Sequence, residues 1–234
     1  MDFIVSGFQK AIALILSGNS EIFAIARLSL TISLLATSAA ALAGVPLGGW
    51  IAVKKFPLKK LLITLANTGM GLPPVVAGLV VMLFLSRNGP LGFLNLLYTP
   101  CGMALAQFII ALPIITALSI SAMQSVDAGF YRQVLTLGAG DWQAIKVCLK
   151  EIRPAIFAAV IAGFGRLTAE VGAVMIVGGN MRYQTRVLTT ATVLETQKGS
   201  FDMAIALGLI LFLLSFTVNL ALTYIQQRKA APRW

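Results

Sequence analysis

Arg166 and Glu170 stand four residues apart inside a long apolar run. Four residues is about one helical turn, so a continuous helix would put both side chains on one face, close enough to pair. Ionisable groups at that depth face a bundle interior or a wet cavity, where such a pair either serves a solute path or ties helices together. Both roles are open from these residues alone. Catalytic chemistry has little to draw on. There is no His, and Cys101 and Cys148 form no cluster, so neither a soft-metal site nor a catalytic residue is expected. No Gly-x-x-x-x-Gly-Lys-Ser/Thr phosphate loop occurs either, which leaves no site for ATP chemistry on this chain.

The elements that must hold the pair follow from composition. Of 234 residues, 58% are hydrophobic and 11% charged, with mean hydropathy +0.90, whereas a soluble domain carries about 25% charged residues. This is the composition of an integral membrane protein. The net charge of +10 does not point to nucleic acid, because the basic residues lie in short clusters between apolar runs. A crossing helix needs about 20 mostly apolar residues. Runs at 28–53, 61–85, 103–123, 155–177 and 203–224 meet that length. They predict an all-α polytopic protein with five transmembrane helices in a single domain over 1–234. Residues 1–20 lack the positive start of a removable signal peptide. They place Phe3, Ile4, Phe8, Ala11, Ile12 and Ile15 near one helical face, which predicts a helix lying in the interface.

Orientation follows from the basic residues beside the spans. One set of connections holds Lys54, Lys55, Lys59, Lys60, Arg132, Lys146, Lys150, Arg153, Arg228, Lys229 and Arg233, eleven in all; the other holds Lys10, Arg27, Arg87, Arg182, Arg186 and Lys198, six in all. The bias predicts an N-terminus outside, a C-terminus in the cytoplasm, a cytoplasmic segment at 126–153 and an outer loop at 179–201. Pro46, Pro73, Pro74, Pro113, Gly163, Gly165 and Gly172 punctuate the spans. Such breaks survive at membrane depth only where neighbouring helices or a wet cavity satisfy the freed backbone groups, which favours a transporter-like bundle over a simple anchor.

Within 126–153, a glycine at Gly138 allows a turn between two short helices. Asp141 is placed to cap the second, while Trp142 and Ile145 give that helix an apolar stripe suited to docking. The stretch from Arg132 to Val147 resembles the cytoplasmic coupling motif of ABC importer permeases, with Gly138 on the motif glycine and Ala139, Trp142 and Ala144 in the usual surroundings. It departs at Arg132, Gln133 and Val134, where the family carries Glu-Ala-Ala. The run from Arg166 through Glu170, Val171, Gly172 and Ala173 to Gly178, Gly179 and Asn180 is similar to the signature of the oxyanion branch of these permeases. Together with the Leu72 to Leu79 run and Gly89-Pro90-Leu91-Gly92, it most resembles the tungstate group. The resemblance covers nearly the whole chain.

It implies a type I ABC importer permease that pairs with a second copy of itself in the cytoplasmic membrane of a prokaryote. It also implies a cytoplasmic ABC ATPase dimer below, which binds the ATP and Mg so that this chain needs no cofactor, and an external tungstate-binding protein above. Gly138, Ala139, Asp141, Trp142 and Ile145 would then engage the ATPase. The translocation path would draw on Arg166, Glu170, Gly172, Asn67, Thr68, Gln107 and Asn180, because hydrogen-bond donors and moderate positive potential suit a hard dianion. Within this class, molybdate or sulfate are the competing substrates. Outside it, a secondary anion transporter or channel competes, though no internal repeat supports one.

Overall fold

The computed structural model describes residues 2–229. Met1 and Arg233 lie outside the described residues, as do the side chains of Asp2, Phe3, Arg228 and Lys229, which the sequence reading used for the N-terminal face and the charge bias. The described residues form helices and one 3-10 turn: α1 Asp2–Leu16, α2 Ser20–Val53, α3 Lys59–Met70, α4 Pro74–Leu85, α5 Pro100–Gln124, α6 Ala128–Thr136, α7 Asp141–Glu151, α8 Arg153–Thr168, α9 Gly172–Gly178, α10 Leu188–Gln197 and α11 Phe201–Lys229.

The five expected spans are of two kinds. Helices α2, α5 and α11 are each long and apolar enough to cross a membrane alone. The other two are bent pairs, α3 with α4 at 105° and α8 with α9 at 59°. Proline does not by itself decide which kind forms, because Pro46 and Pro113 sit inside unbroken helices.

The centre of the bundle is the crossing of α2 and α5. Lipid offers no hydrophobic drive between helices, so close approach through small residues does the work. A Cβ on Gly48 would come within 2.8 Å of the Thr116 carbonyl oxygen, so this crossing admits no larger side chain. Around it pack Ala36, Ala40, Ala106, Ile110, Leu167 and Val177, all buried. Helix α2 has 34 residues, about 50 Å at 1.5 Å per residue, well beyond the roughly 30 Å hydrocarbon core. Its two ends therefore reach the flanking loops. At one end Glu21 accepts two hydrogen bonds from the Arg182 guanidinium, at 2.8 and 2.6 Å. At the other, Lys54 pairs with Asp141 of α7.

Helix α1 lies against α11, with Gly7 and Ala11 buried there and Lys10 Nζ 2.5 Å from Asp202 Oδ2. Its expected apolar face is split: Ala11 is buried, whereas Ile4, Phe8, Ile12 and Ile15 are exposed rather than buried against protein. In a membrane chain that is the face that meets lipid.

Candidate functional site

The two bent pairs touch at their breaks. A Cβ on Gly78 of α4 would lie 2.6 Å from the Ala173 Cα, and one on Gly172 would lie 2.7 Å from Val75 Cγ2. Both contacts fall within the first five residues of the half-helices α4 and α9.

The break between α8 and α9 corrects the expectation that Arg166 and Glu170 share one helix. Helix α8 ends at Thr168, and Glu170 lies in the connecting turn. The i,i+4 pairing survives because the turn is tight: Glu170 N–H still donates to the Leu167 carbonyl at 3.1 Å. Glu170 is only 3% exposed and is committed locally. Its Oε1 accepts the Ala173 N–H at 3.0 Å, capping α9, and its backbone carbonyl accepts from Thr189 Oγ1 at 2.9 Å. The Leu167 carbonyl accepts a second hydrogen bond, from Gln107 Nε2 at 3.2 Å. Every link holds a backbone group that the bend releases, as a break at membrane depth requires.

Arg166 is held differently. Its Nη1 lies 3.7 Å from Glu170 Oε2, and its side chain is 41% exposed. That separation balances charge but exceeds hydrogen-bond length. The guanidinium makes no hydrogen bond among the described residues, and its side chain is left partly open beside the break. The arrangement suits an anion that arrives, is balanced and leaves.

The remaining expected path residues divide. Asn67 and Thr68 are exposed near the end of α3, and no hydrogen bond joins them to Arg166. Gln107 is buried as a link between α5 and α8, with its Oε1 unpartnered beside a small polar cavity that Ser33, Thr168, Glu170 and Thr189 help to line. Gly172 is the close-approach point described above. Asn180 sits in a left-handed turn with φ 50° and has a buried, unpartnered Oδ1. Thr189 was not among the expected residues. It lies 19 positions from the carbonyl that it binds, and no spacing rule reaches that far.

At the far end of α2 is the α6–α7 hairpin. Gly138 has φ +88°, a conformation that costs other residues steric strain, and a Cβ there would meet nothing within 4 Å. Asp141 does not cap α7, contrary to expectation. Gly140 is the N-cap residue, and its N–H donates to Gln143 Oε1 at 2.9 Å. Asp141 instead binds Lys54 and accepts from the Tyr131 hydroxyl at 3.1 Å. The hydrogen bond from Lys54 holds its carboxyl below the usual range. Burial, then the bond to Asp141, pushes the Tyr131 phenol up, so it remains a donor at neutral pH. Ile145 is also placed otherwise than expected: at 1% exposed it anchors α7 against Met123 and Cys148 rather than offering itself to a partner. The outward apolar surface is Leu137, 87% exposed, and Trp142, 47% exposed.

Spans broken where they cross, with one guanidinium open at the break and a rigid hairpin at the far end of the bundle, define a polytopic transport permease. The chain belongs to the family of binding-protein-dependent transport system inner membrane components, whose pattern matches residues 44–231. It is the multi-pass inner-membrane permease component of an ABC importer, and its role is transport. It is 40% identical to the tungstate uptake system permease protein TupB of Peptoclostridium acidaminophilum, over 97% of this chain and 100% of that one. It is 35% identical to the protein of the same name from Campylobacter jejuni, over 94% and 92% of the two chains. The fold matches that of a bacterial alginate ABC transporter solved with an alginate pentasaccharide-bound periplasmic protein. There the TM-score is 0.71 at 20% identity, covering 89% of this chain and 79% of that one.

Proposed function

We propose that this chain is the permease of a tungstate importer, that two copies enclose the path, and that the anion passes the Arg166 side of the two breaks. The observation that carries this reading is the Arg166 guanidinium, charge-balanced by buried Glu170 yet without a hydrogen bond among the described residues. Tungstate as the substrate class rests on the two TupB relatives. The conduit holds the anion weakly, and an external binding protein supplies most of the discrimination. The hairpin faces the cytoplasm. It passes ATP-driven closure of an ATPase dimer to α2 and α5 through the outward Leu137 and Trp142, the turn at Gly138 and Ala139, and the Lys54–Asp141–Tyr131 tie. ATP and Mg belong to that partner. Ile145 serves as the internal anchor of this lever.

The test is elemental mass spectrometry of cells deleted for this chain and then complemented, supplied with trace tungstate, alone and with excess molybdate or sulfate. Tungsten uptake should vanish on deletion, return on complementation and resist both competitors. A fall in molybdenum or sulfur with tungsten unchanged would overturn the substrate. Complementation with Arg166→Lys should weaken uptake at limiting tungstate in assembled complexes, because an ammonium lacks the planar fork. Uptake unchanged at every concentration would remove the guanidinium from the path.

A further inference from the structure

A second basic site lies away from the breaks. Where α2 and α5 end and the α6–α7 hairpin begins, the structure forms an open cavity of about 660 Å³. Lys55, Lys59 and Arg132 border it, against Asp127 as the one carboxylate in its lining, and its floor is apolar, with Val53, Met123 and Cys148. None of the three cations has an ion-pair partner among the described residues. Lys59 Nζ donates to the Ala52 carbonyl at 2.5 Å and Arg132 Nε to the Ala128 carbonyl at 3.3 Å; the terminal nitrogens of Arg132 make no hydrogen bond among the described residues. Asp127 is occupied in turn, since its Oδ1 accepts the Gly129 N–H.

The depth of the cavity is set by the helices that form it. Val53 is the last residue of α2, and Gln124, also in the lining, is the last of α5. Two apolar spans stop there, so hydrocarbon gives way to headgroups at that level. We propose that this cavity binds the phosphodiester headgroup of an anionic phospholipid. The phosphate sits between Lys55, Lys59 and Arg132, and the glycerol and acyl roots lie on the apolar floor. Basic pockets at the ends of membrane helices recognise headgroups in this way. The bound lipid would bridge the α2–α3 link to α6 beside the Lys54–Asp141–Tyr131 tie, bracing the base of the hairpin from a second side. This goes beyond the transport reading and does not depend on which anion is carried.

The test is native mass spectrometry of the assembled transporter with phosphatidylglycerol and phosphatidylcholine of equal chain length. The unaltered protein should retain phosphatidylglycerol in preference by roughly a hundredfold, about fivefold for each of the three cations, and Lys55→Gln with Arg132→Gln should cut that preference about 25-fold. Lys60→Gln, an exposed neighbour outside the cavity, should leave it intact. Equal retention of the two lipids by the unaltered protein would overturn the proposal, and that arm needs no variant to fold. So would a preference untouched by the double substitution. Displacement by millimolar inorganic phosphate with no lipid preference would assign the cavity to a free anion instead. None of these readouts requires tungstate uptake, so failure here is distinct from failure of the transport reading.

Discussion

The two broken spans reach similar shapes by different means. Between α3 and α4 the bend is local: Pro73 and Pro74 remove two N–H donors, and each restricts the residue before it to extended backbone. The Pro73 carbonyl is recovered within the same segment, accepting from Val76 and Ala77. Between α8 and α9 there is no proline. The bend is held by side chains from elsewhere, Gln107 of α5 and Thr189 of α10, together with the buried Glu170 carboxylate. One break is written into adjacent residues, whereas the other exists only once three helices have assembled. At the second break Glu170 is committed to the fold, while Arg166 is left open.

The sharpest test of that division is Glu170→Ala, which leaves the Ala173 N–H without its acceptor inside the bundle and Arg166 without its counter-charge. It should cost about 3 kcal/mol and lower the thermal midpoint of the purified complex, while Glu170→Gln, which keeps the acceptor, should retain most of the stability. A midpoint unchanged by the alanine would erase the contrast between the breaks.

The contact that joins the breaks is next. Gly78→Ala drives a methyl into the Ala173 backbone and should cost about 2 kcal/mol. Gly172→Ala presses closest on the Val75 side chain rather than on backbone, and should cost less, about 1 kcal/mol, because Val75 is stiff but not fixed. The reverse order in thermal unfolding would mean that α9 rather than α4 carries the rigid side of the crossing.

Replacing both Pro73 and Pro74 by alanine restores two donors and loosens only the local break. Uptake by assembled complexes should fall roughly fivefold, the equivalent of about 1 kcal/mol in the barrier, with thermal stability little changed. A collapse of stability would show that this bend is held by tertiary contacts after all.

The smallest effect belongs to the hairpin. The Asp141 carboxyl has its pKa held below the ordinary 3.8 by Lys54 and then Tyr131. A depressed pKa in the folded state means that the tie contributes fully above about pH 4 and is lost as pH falls through the depressed value. Emission from the adjacent Trp142 should shift across that acidic window in the unaltered protein. Asp141→Asn should abolish the shift, and a shift that persists would detach the tie from this carboxylate.

Much of this was legible because the physics behind it is local. Apolar runs of membrane-crossing length located the three unbroken spans and both bent pairs, since backbone groups in lipid must be satisfied within the helix. Pro73 and Pro74 marked the first break, and Gly138 marked its turn, since only a residue without a Cβ takes that φ cheaply. What depended on neighbours could not be seen in this way. Pro46 and Pro113 resemble Pro73 in sequence yet interrupt nothing, and Asp141 has the chemistry of a cap but binds Lys54, 87 residues away.

The sequence by itself determined that the chain is a helical membrane protein with an Arg–Glu pair inside an apolar run and a short helical hairpin, because hydropathy, proline and glycine act over one or two turns. The tertiary structure decided that Glu170 is a buried cap while Arg166 stays open, that Ile145 points inward and Leu137 outward, and that three cations with no ion-pair partner among the described residues share one cavity. Burial and hydrogen-bond partnership are set by residues tens of positions away, and folding alone brings them together.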